Sequence, residues 1–254
     1  MGGRRLGQHF LFDTSILRRI VESACISPAD LVVEIGPGPG TLTALLSEAA
    51  RKVIAIELDA DLCGRLKNHL PANVELIHGD ALRYLYEKLD PFLVVANIPY
   101  YITTPLIFRL MDSRENLRSM TLTIQKEVAE RIVAGPGTKA YGVLSVVVQI
   151  RGIPSMKFIV PRGAFRPVPE VDSAVIRIEM TEGPRVAVRD EQFFLKVVRA
   201  AFSQRRKTLA NALKALFPDA RAHLAAVRID PNRRAETLSI EEFSLLANSL
   251  SKSR

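Results

Sequence analysis

Leu31-Val-Val-Glu-Ile-Gly36-Pro-Gly38-Pro-Gly40-Thr41 is the stretch whose reading decides the fold. LVVEI is a short, mostly β-branched run closed by glycine and proline, the pattern of a buried strand rather than a helix. The glycines let the backbone turn sharply and let a ligand lie against it without meeting Cβ atoms. TLTALLSEAA then follows with helical periodicity. Strand, glycine turn and helix in that order open an α/β sheet. A dinucleotide site would read G-x-G-x-x-G, but here the spacing is G-x-G-x-G, with Thr41 after Gly40. That difference points away from NAD and towards an adenosyl cofactor without a pyrophosphate.

Working outward, the alternation continues. KVIAIEL (52–58) is a second predicted strand, DLCGRLKNHL (61–70) a helix and NVELIH (73–78) a third strand. FLVVAN (92–97) and SMTLTI (119–124) are the fourth and fifth, and QKEVAERIVA (125–134) is helical in pattern. YGVLSVVVQI (141–150) favours strand by propensity, while its position in such a fold also allows a helix. The alternation in DSAVIRIEM (172–180) predicts a late, partly exposed strand. Beyond Gly183-Pro184 the pattern turns helical: EQFFLKVVRAAF (191–202), KTLANALKALF (207–217), then FSLLANSL (243–250) behind a capping box of Ser239 and Glu242. The expected organisation is a catalytic domain over 1–182 and a helical, RNA-binding domain over 183–254.

The 254 residues suit one medium domain with a small appendage, and 48% of them are hydrophobic, enough for a sizeable core. A formal charge of +8 favours polyanionic partners, since cations placed on phosphates release counterions. Cys25 and Cys63 are too few for a disulfide framework or a zinc site, so no metal is expected and a reducing compartment fits both thiols. MGGRRLGQHFL lacks the apolar run of a signal peptide, and no stretch approaches the roughly 20 apolar residues of a membrane span. The protein is read as cytoplasmic, without a membrane partner and monomeric.

Two acids extend the glycine signal. Glu57 ends the second strand, where a carboxylate can accept both ribose hydroxyls of a nucleoside, and Asp80 follows the third, where it can accept from the cofactor's adenine amine. Singly, an acid after a strand caps a helix as readily as it binds a ligand. Three such features at successive strand ends converge on one crevice. Asn97-Ile98-Pro99-Tyr100 follows the fourth strand and suits methylation of a weakly nucleophilic amine. The Asn97 side-chain oxygen and the Ile98 carbonyl can take the amine's two hydrogens and favour a tetrahedral nitrogen, so that positioning and electrostatics carry the catalysis. Tyr100 offers one face for stacking a base and Phe165 the other.

With GQHFL, VVEIGPGPGTLT, AIELD, GDAL, NIPYYITTPLIF, FRPVPEVDSAV and FSQRRKTLANAL in that order, nearly the whole chain resembles the ribosomal RNA adenine N6,N6-dimethyltransferases, most closely their bacterial small-subunit (16S) branch. The resemblance implies an α/β, Rossmann-like seven-stranded methyltransferase domain with a small all-helical C-terminal domain. It implies S-adenosylmethionine as cofactor, and transfer of two methyls to each of two adjacent adenosines near the 3′ end of 16S rRNA, within a pre-30S particle. Carried over by position, His9 and Leu11 contact the cofactor, Gly36 and Gly38 form its glycine turn, Glu57 holds its ribose and Asp80 its adenine. Asn97 bridges cofactor and target amine, while Tyr100 and Phe165 sandwich the target base. His9 stands where many relatives have Asn; both hydrogen-bond through a side-chain nitrogen.

Arg205-Arg206-Lys207 joins two predicted helices. Three cations at a helix start oppose the macrodipole, a local cost that an external phosphate would offset. Arg4, Arg5, Arg233 and Arg234 are expected to extend the same field. Three other readings compete: the same chemistry on large-subunit rRNA, a non-enzymatic assembly or transcription factor on the same fold, and a DNA or small-molecule methyltransferase. The RRKTLANAL block and the long C-terminal region favour the small-subunit target, and the intact glycine, acid and NIPY series argues for retained catalysis.

Overall fold

In the computed structural model, residues 9–204 and 206–251 are described. The chain divides into two compact units, the residues up to Ala129 with Pro154–Met180, and Glu130–Ile153 with the residues from Thr181 onward. The second unit thus draws in residues 130–153, which the sequence-based boundary at 183 leaves with the first.

The first unit is built on a seven-stranded sheet. Its strands are β2 (Leu31–Ile35), β3 (Lys52–Glu57), β4 (Val74–His78), β5 (Phe92–Asn97), β6 (Leu117–Gln125), β7 (Gly152–Val160) and β9 (Ser173–Met180), in the order β4-β3-β2-β5-β6-β9-β7. Two-residue strands β1 (Phe10–Leu11) and β8 (Phe165–Arg166) form a separate antiparallel ladder that pairs Leu11 with Phe165. Strands β2 to β6 of the main sheet run parallel to their neighbours, and β9 runs antiparallel to β6. Helices α1 (Thr14–Ala24), α2 (Thr41–Ala49), α3 (Ala60–Leu66) and α4 (Thr103–Asp112) provide the connections of this unit. α1 starts at Asp13, whose carboxylate accepts from the Ser15 and Ile16 N–H groups, and α3 starts in the same way at Asp59.

β2 and β5 are buried almost throughout, as parallel strands covered on both faces must be. From β2 the chain builds β3 and β4 on one side, then crosses to β5 and β6 on the other. The order therefore reverses between β2 and β5, and the carboxyl ends of these strands open the crevice where such sheets bind ligands.

Two strands of the sheet compare differently with the sequence-based reading. β9 forms where expected, inside the sheet between β6 and β7; it is buried at Ser173, Ala174, Val175, Ile176 and Ile178, and its exposure is confined to Arg177, Glu179 and Met180. β7 carries no clear alternation in GIPSMKFIV and has no counterpart among the predicted strands.

The second unit is helical. Lys126–Val133 (α5) leads into it, followed by α6 (Val143–Gln149), α7 (Glu191–Phe202), α8 (Leu209–Leu213), α9 (Ala220–Ala226) and α10 (Ile240–Leu250). YGVLSVVVQI resolves as helix α6 because tertiary contacts override its β propensity. Ser145 accepts from the Gly142 N–H and donates to the Arg131 carbonyl. Gln149 donates to the Ile132 and Ala134 carbonyls at 2.9 and 2.8 Å. Val146 and Ile150 then join Tyr141, Phe194, Phe202 and Phe243 in the unit's core. α10 begins at the expected capping box, with Ser239 accepting from Glu242 N–H and Glu242 from Ser239 N–H. KTLANALKALF yields only the five-residue α8. Among the described residues no helix is long and apolar enough to cross a membrane.

Candidate active site

The cleft at the carboxyl ends of β2, β3, β4 and β5 has a volume of about 950 Å³, its open mouth included. Its walls take one element from each: Gly36 after β2, Glu57 ending β3, Asp80 after β4, and Asn97 ending β5 with Ile98 to Tyr100 behind it. His9 lines it from the N-terminal side. Eight residues expected from the sequence to act together are thus brought together by parallel pairing, which aligns strand ends in register.

Glu57 is the most firmly held of them. It is 2% exposed, and each carboxylate oxygen is occupied once, Oε2 by the Gly38 N–H at 3.1 Å and Oε1 by the Asp59 N–H at 3.0 Å. A carboxylate oxygen accepts more than one hydrogen bond, so both keep capacity for the hydroxyls of a ribose. Gly36 has φ +68°, a conformation that side chains rarely adopt, and its N–H donates to the Ile56 carbonyl. Gly38 does not line the cleft. Its φ is +56°, and a Cβ there would stand 2.7 Å from the Phe10 ring, so it lets the N-terminal segment close onto the turn while its N–H orients Glu57. Asp80 accepts from Leu82 N–H and forms an ion pair with Arg83 at 3.7 Å, which leaves its second oxygen only loosely engaged.

On the opposite wall Asn97 donates from Nδ2 to the His9 carbonyl at 3.0 Å. That bond orients the amide, and Oδ1 has no hydrogen-bond partner among the described residues, so it is available as an acceptor. Ile98 is buried and its N–H is held by the Thr123 carbonyl at 3.1 Å. The Pro99 Cδ would lie 3.8 Å from a Cβ on Gly36, an ordinary contact that joins the β2 and β5 turns. The Tyr100 hydroxyl is bonded to the buried Ser173 at 2.7 Å, and its ring lies 5.5 Å from that of His9 at 31°. Burial pushes the Tyr100 phenol up, partly offset by Ser173 and reinforced by the charge of Asp172. His9 Nδ1 lies 2.8 Å from the Pro167 carbonyl, which can only accept; Nδ1 therefore carries the hydrogen.

Other expected residues fall elsewhere. Leu11 and Phe165, paired across the β1–β8 ladder, are 3% and 0% exposed and belong to the core cluster with Leu17, Ile20 and Val32. The Phe165 ring offers no free face to a base in this structure. Arg205, Arg4 and Arg5 lie outside the described residues. Arg206 and Lys207 are exposed in the link between α7 and α8, just before the Thr208 N-cap of α8. Arg233 is committed to Glu242 and to the Thr237 carbonyl, whereas the Arg234 side chain is exposed. Residues that the sequence reading missed include Phe10, Leu58, Leu82 and Tyr101. Leu58 and Tyr101 each directly follow an identified site residue, and that adjacency was their signal.

A nucleoside-sized cleft at the switch point of the sheet, lined by a buried carboxylate, a glycine turn and an asparagine amide, has the architecture of a Rossmann-like methyltransferase site. Comparison then identifies the family. Residues 2–252 match the ribosomal RNA adenine dimethylase family, and the chain belongs to it: these are S-adenosylmethionine-dependent enzymes that dimethylate the N6 amine of adenine in ribosomal RNA. The ribosomal RNA small subunit methyltransferase A of Geobacillus thermodenitrificans (strain NG80-2) is 46% identical over 97% of this chain and 90% of its own length. Among solved structures, a dimethyladenosine transferase from Plasmodium falciparum matches with a TM-score of 0.81 and 28% identity, over 96% of this chain and 98% of its own. The 23S rRNA methyltransferase ErmE matches with a TM-score of 0.75 and 26% identity, over 95% and 99%.

Proposed function

We propose that this chain dimethylates the N6 amines of two adjacent adenosines near the 3′ end of small-subunit (16S) rRNA, acting in the cytoplasm as a monomer on a pre-30S particle during subunit biogenesis. The reading rests on one observation above all: Asn97 lines one cleft with Glu57 and Asp80, and its amide donates to the His9 carbonyl while its side-chain oxygen has no hydrogen-bond partner among the described residues. The 46% identity to a small-subunit enzyme, against 26% to a large-subunit one, supports the choice of target.

Bound S-adenosylmethionine supplies an electrophilic sulfonium methyl. Glu57 accepts the ribose hydroxyls, Asp80 accepts from the adenine amine, and Gly36 admits the ligand against the backbone. Asn97 Oδ1 and the Ile98 carbonyl take the hydrogens of the target amine and hold its lone pair in line for attack. Tyr100, braced by Ser173, presents its ring to the flipped base. No strong base is needed before transfer, because the amine becomes acidic only once it carries the methyl. Phe165 completes the sandwich in this reading by leaving the core when RNA binds. Arg205, Arg206 and Lys207 contact phosphates, and the helical residues 183–254 form the RNA-binding domain.

The test is methyl transfer from labelled S-adenosylmethionine to unmethylated small subunits, large subunits, free rRNA and DNA, with mass spectrometry of the digest. N6,N6-dimethyladenosine from small subunits alone is expected, and Asn97→Ala lowers the rate by on the order of 10²- to 10³-fold, as for other lost transition-state acceptors and donors. Label on large subunits or DNA reassigns the target, and no transfer to any substrate favours a binding factor.

A further inference from the structure

The short turn Tyr100–Ile102 carries two adjacent tyrosines with different surroundings. The Tyr100 hydroxyl is tied to Ser173 and its ring rests beside His9. Tyr101 lines the same cleft, yet it is 55% exposed and its hydroxyl has no hydrogen-bond partner among the described residues. Burial of part of the ring pushes its phenol up, and the charges of Asp80 and then Glu57 push it further. Tyr101 thus lines the cleft within the field of the Asp80 and Glu57 carboxylates. Large apolar side chains this exposed are ordinary on a surface, but one on a ligand cleft without a polar tether marks a place a flat ligand can cover.

We propose that Tyr101 is a cofactor-binding residue: its ring closes over the adenosine held by Glu57 and Asp80, and swings aside to release spent cofactor between successive methyl additions. The inference rests on the reading that these two carboxylates hold the adenosine. Its functional sense follows from stoichiometry. Two methyls on one nitrogen consume two cofactor molecules, so S-adenosylhomocysteine leaves and is replaced between the two additions. A braced tyrosine on the target side and an untethered one on the cofactor side separate these two tasks on one turn of chain.

The experiment titrates S-adenosylhomocysteine into the wild type, Tyr101→Phe, Tyr101→Ala and Asp80→Ala, by calorimetry and by tyrosine emission. The chain has five tyrosines and no tryptophan, so an emission change on binding comes from tyrosine. Because Tyr101 is more than half exposed, its truncation opens no core cavity. Tyr101→Ala is expected to weaken binding about tenfold, the size of one lost aromatic–base stack, mainly through faster dissociation. Tyr101→Phe keeps the ring and binds within about threefold of the wild type, but loses most of the emission change. Wild-type affinity in Tyr101→Ala, or an undiminished emission response in Tyr101→Phe, overturns the proposal. Unaltered binding by Asp80→Ala overturns instead the adenosine reading beneath it, so the two failures are distinguishable.

Discussion

Glu34→Gln should change how the stability of this protein depends on pH, by an amount that follows from one buried carboxyl. Glu34 is 1% exposed on the central strand β2, and its Oε2 has no hydrogen-bond partner among the described residues. Burial pushes the carboxyl from 4.5 up to about 8; the Thr43 hydroxyl pulls partly the other way, and the Glu57 charge reinforces the rise. Between those two values the folded chain keeps a proton that the unfolded chain has released. The stability that Glu34 contributes is therefore complete below about pH 4.5, falls as pH rises, and is lost once pH passes about 8. The slope is about 1.4 kcal/mol per pH unit, so the loss from pH 5 to pH 8 is about 4 kcal/mol. Glutamine has nearly the same shape and no proton to lose. Burying its amide shifts the level of the variant's curve but not its slope. Urea unfolding of both proteins at steps from pH 5 to pH 9 reads the difference directly. The variant should gain on the wild type by about 4 kcal/mol from pH 5 to pH 8 and by little beyond. Parallel curves would refute a protonated Glu34 and the dry, closed surroundings of β2 inferred from it.

Further outcomes follow from other residues. Gly38→Ala sets a Cβ 2.7 Å from the Phe10 ring at φ +56°; it should cost about 1–3 kcal/mol, read as a lower Tm, with weaker S-adenosylhomocysteine binding because the Gly38 N–H no longer orients Glu57. Phe165→Ala empties a fully buried site and should cost about 3–5 kcal/mol of stability; loss of transfer with stability unchanged would mean that the ring acts outside the core. Arg206→Ala with Lys207→Ala should weaken RNA binding and reduce the slope of log affinity against log salt by about 0.7–0.9 for each phosphate that the variant no longer neutralises, measured by filter binding across salt concentrations; an unchanged slope would place the phosphate-binding cations elsewhere.

Much of the site is legible in the order of the apolar runs. Gly36, Glu57, Asp80 and Asn97 each stand at the end of such a run, and in a parallel sheet strand ends meet on one edge, so that order is enough to gather them. Tyr101 and Leu58 escape because adjacency to a site residue is their one signal, and a tyrosine or leucine so placed can as well be ordinary surface. Strand β7 escapes because its burial changes along the strand without a regular alternation. The helix α6 is ambiguous because Val143–Gln149 holds four valines, whose strand preference is weaker than the packing and carbonyl bonds that its neighbours offer.

The sequence by itself determined the fold class, the cofactor edge and the family, because glycine conformations, strand-end acids and the NIPY tetrapeptide are local chemistry that survives without knowledge of distant contacts. Only the tertiary structure decided that Asn97 turns its oxygen free by donating to the His9 carbonyl, 88 residues away in sequence. It decided likewise that Phe165 and Leu11 sit in the core, that Arg233 is taken by Glu242, and that residues 130–153 pack with the helical unit. Each of these outcomes depends on which groups meet across long stretches of chain, and partners of that kind are set by burial and hydrogen-bond satisfaction in three dimensions rather than by any local pattern.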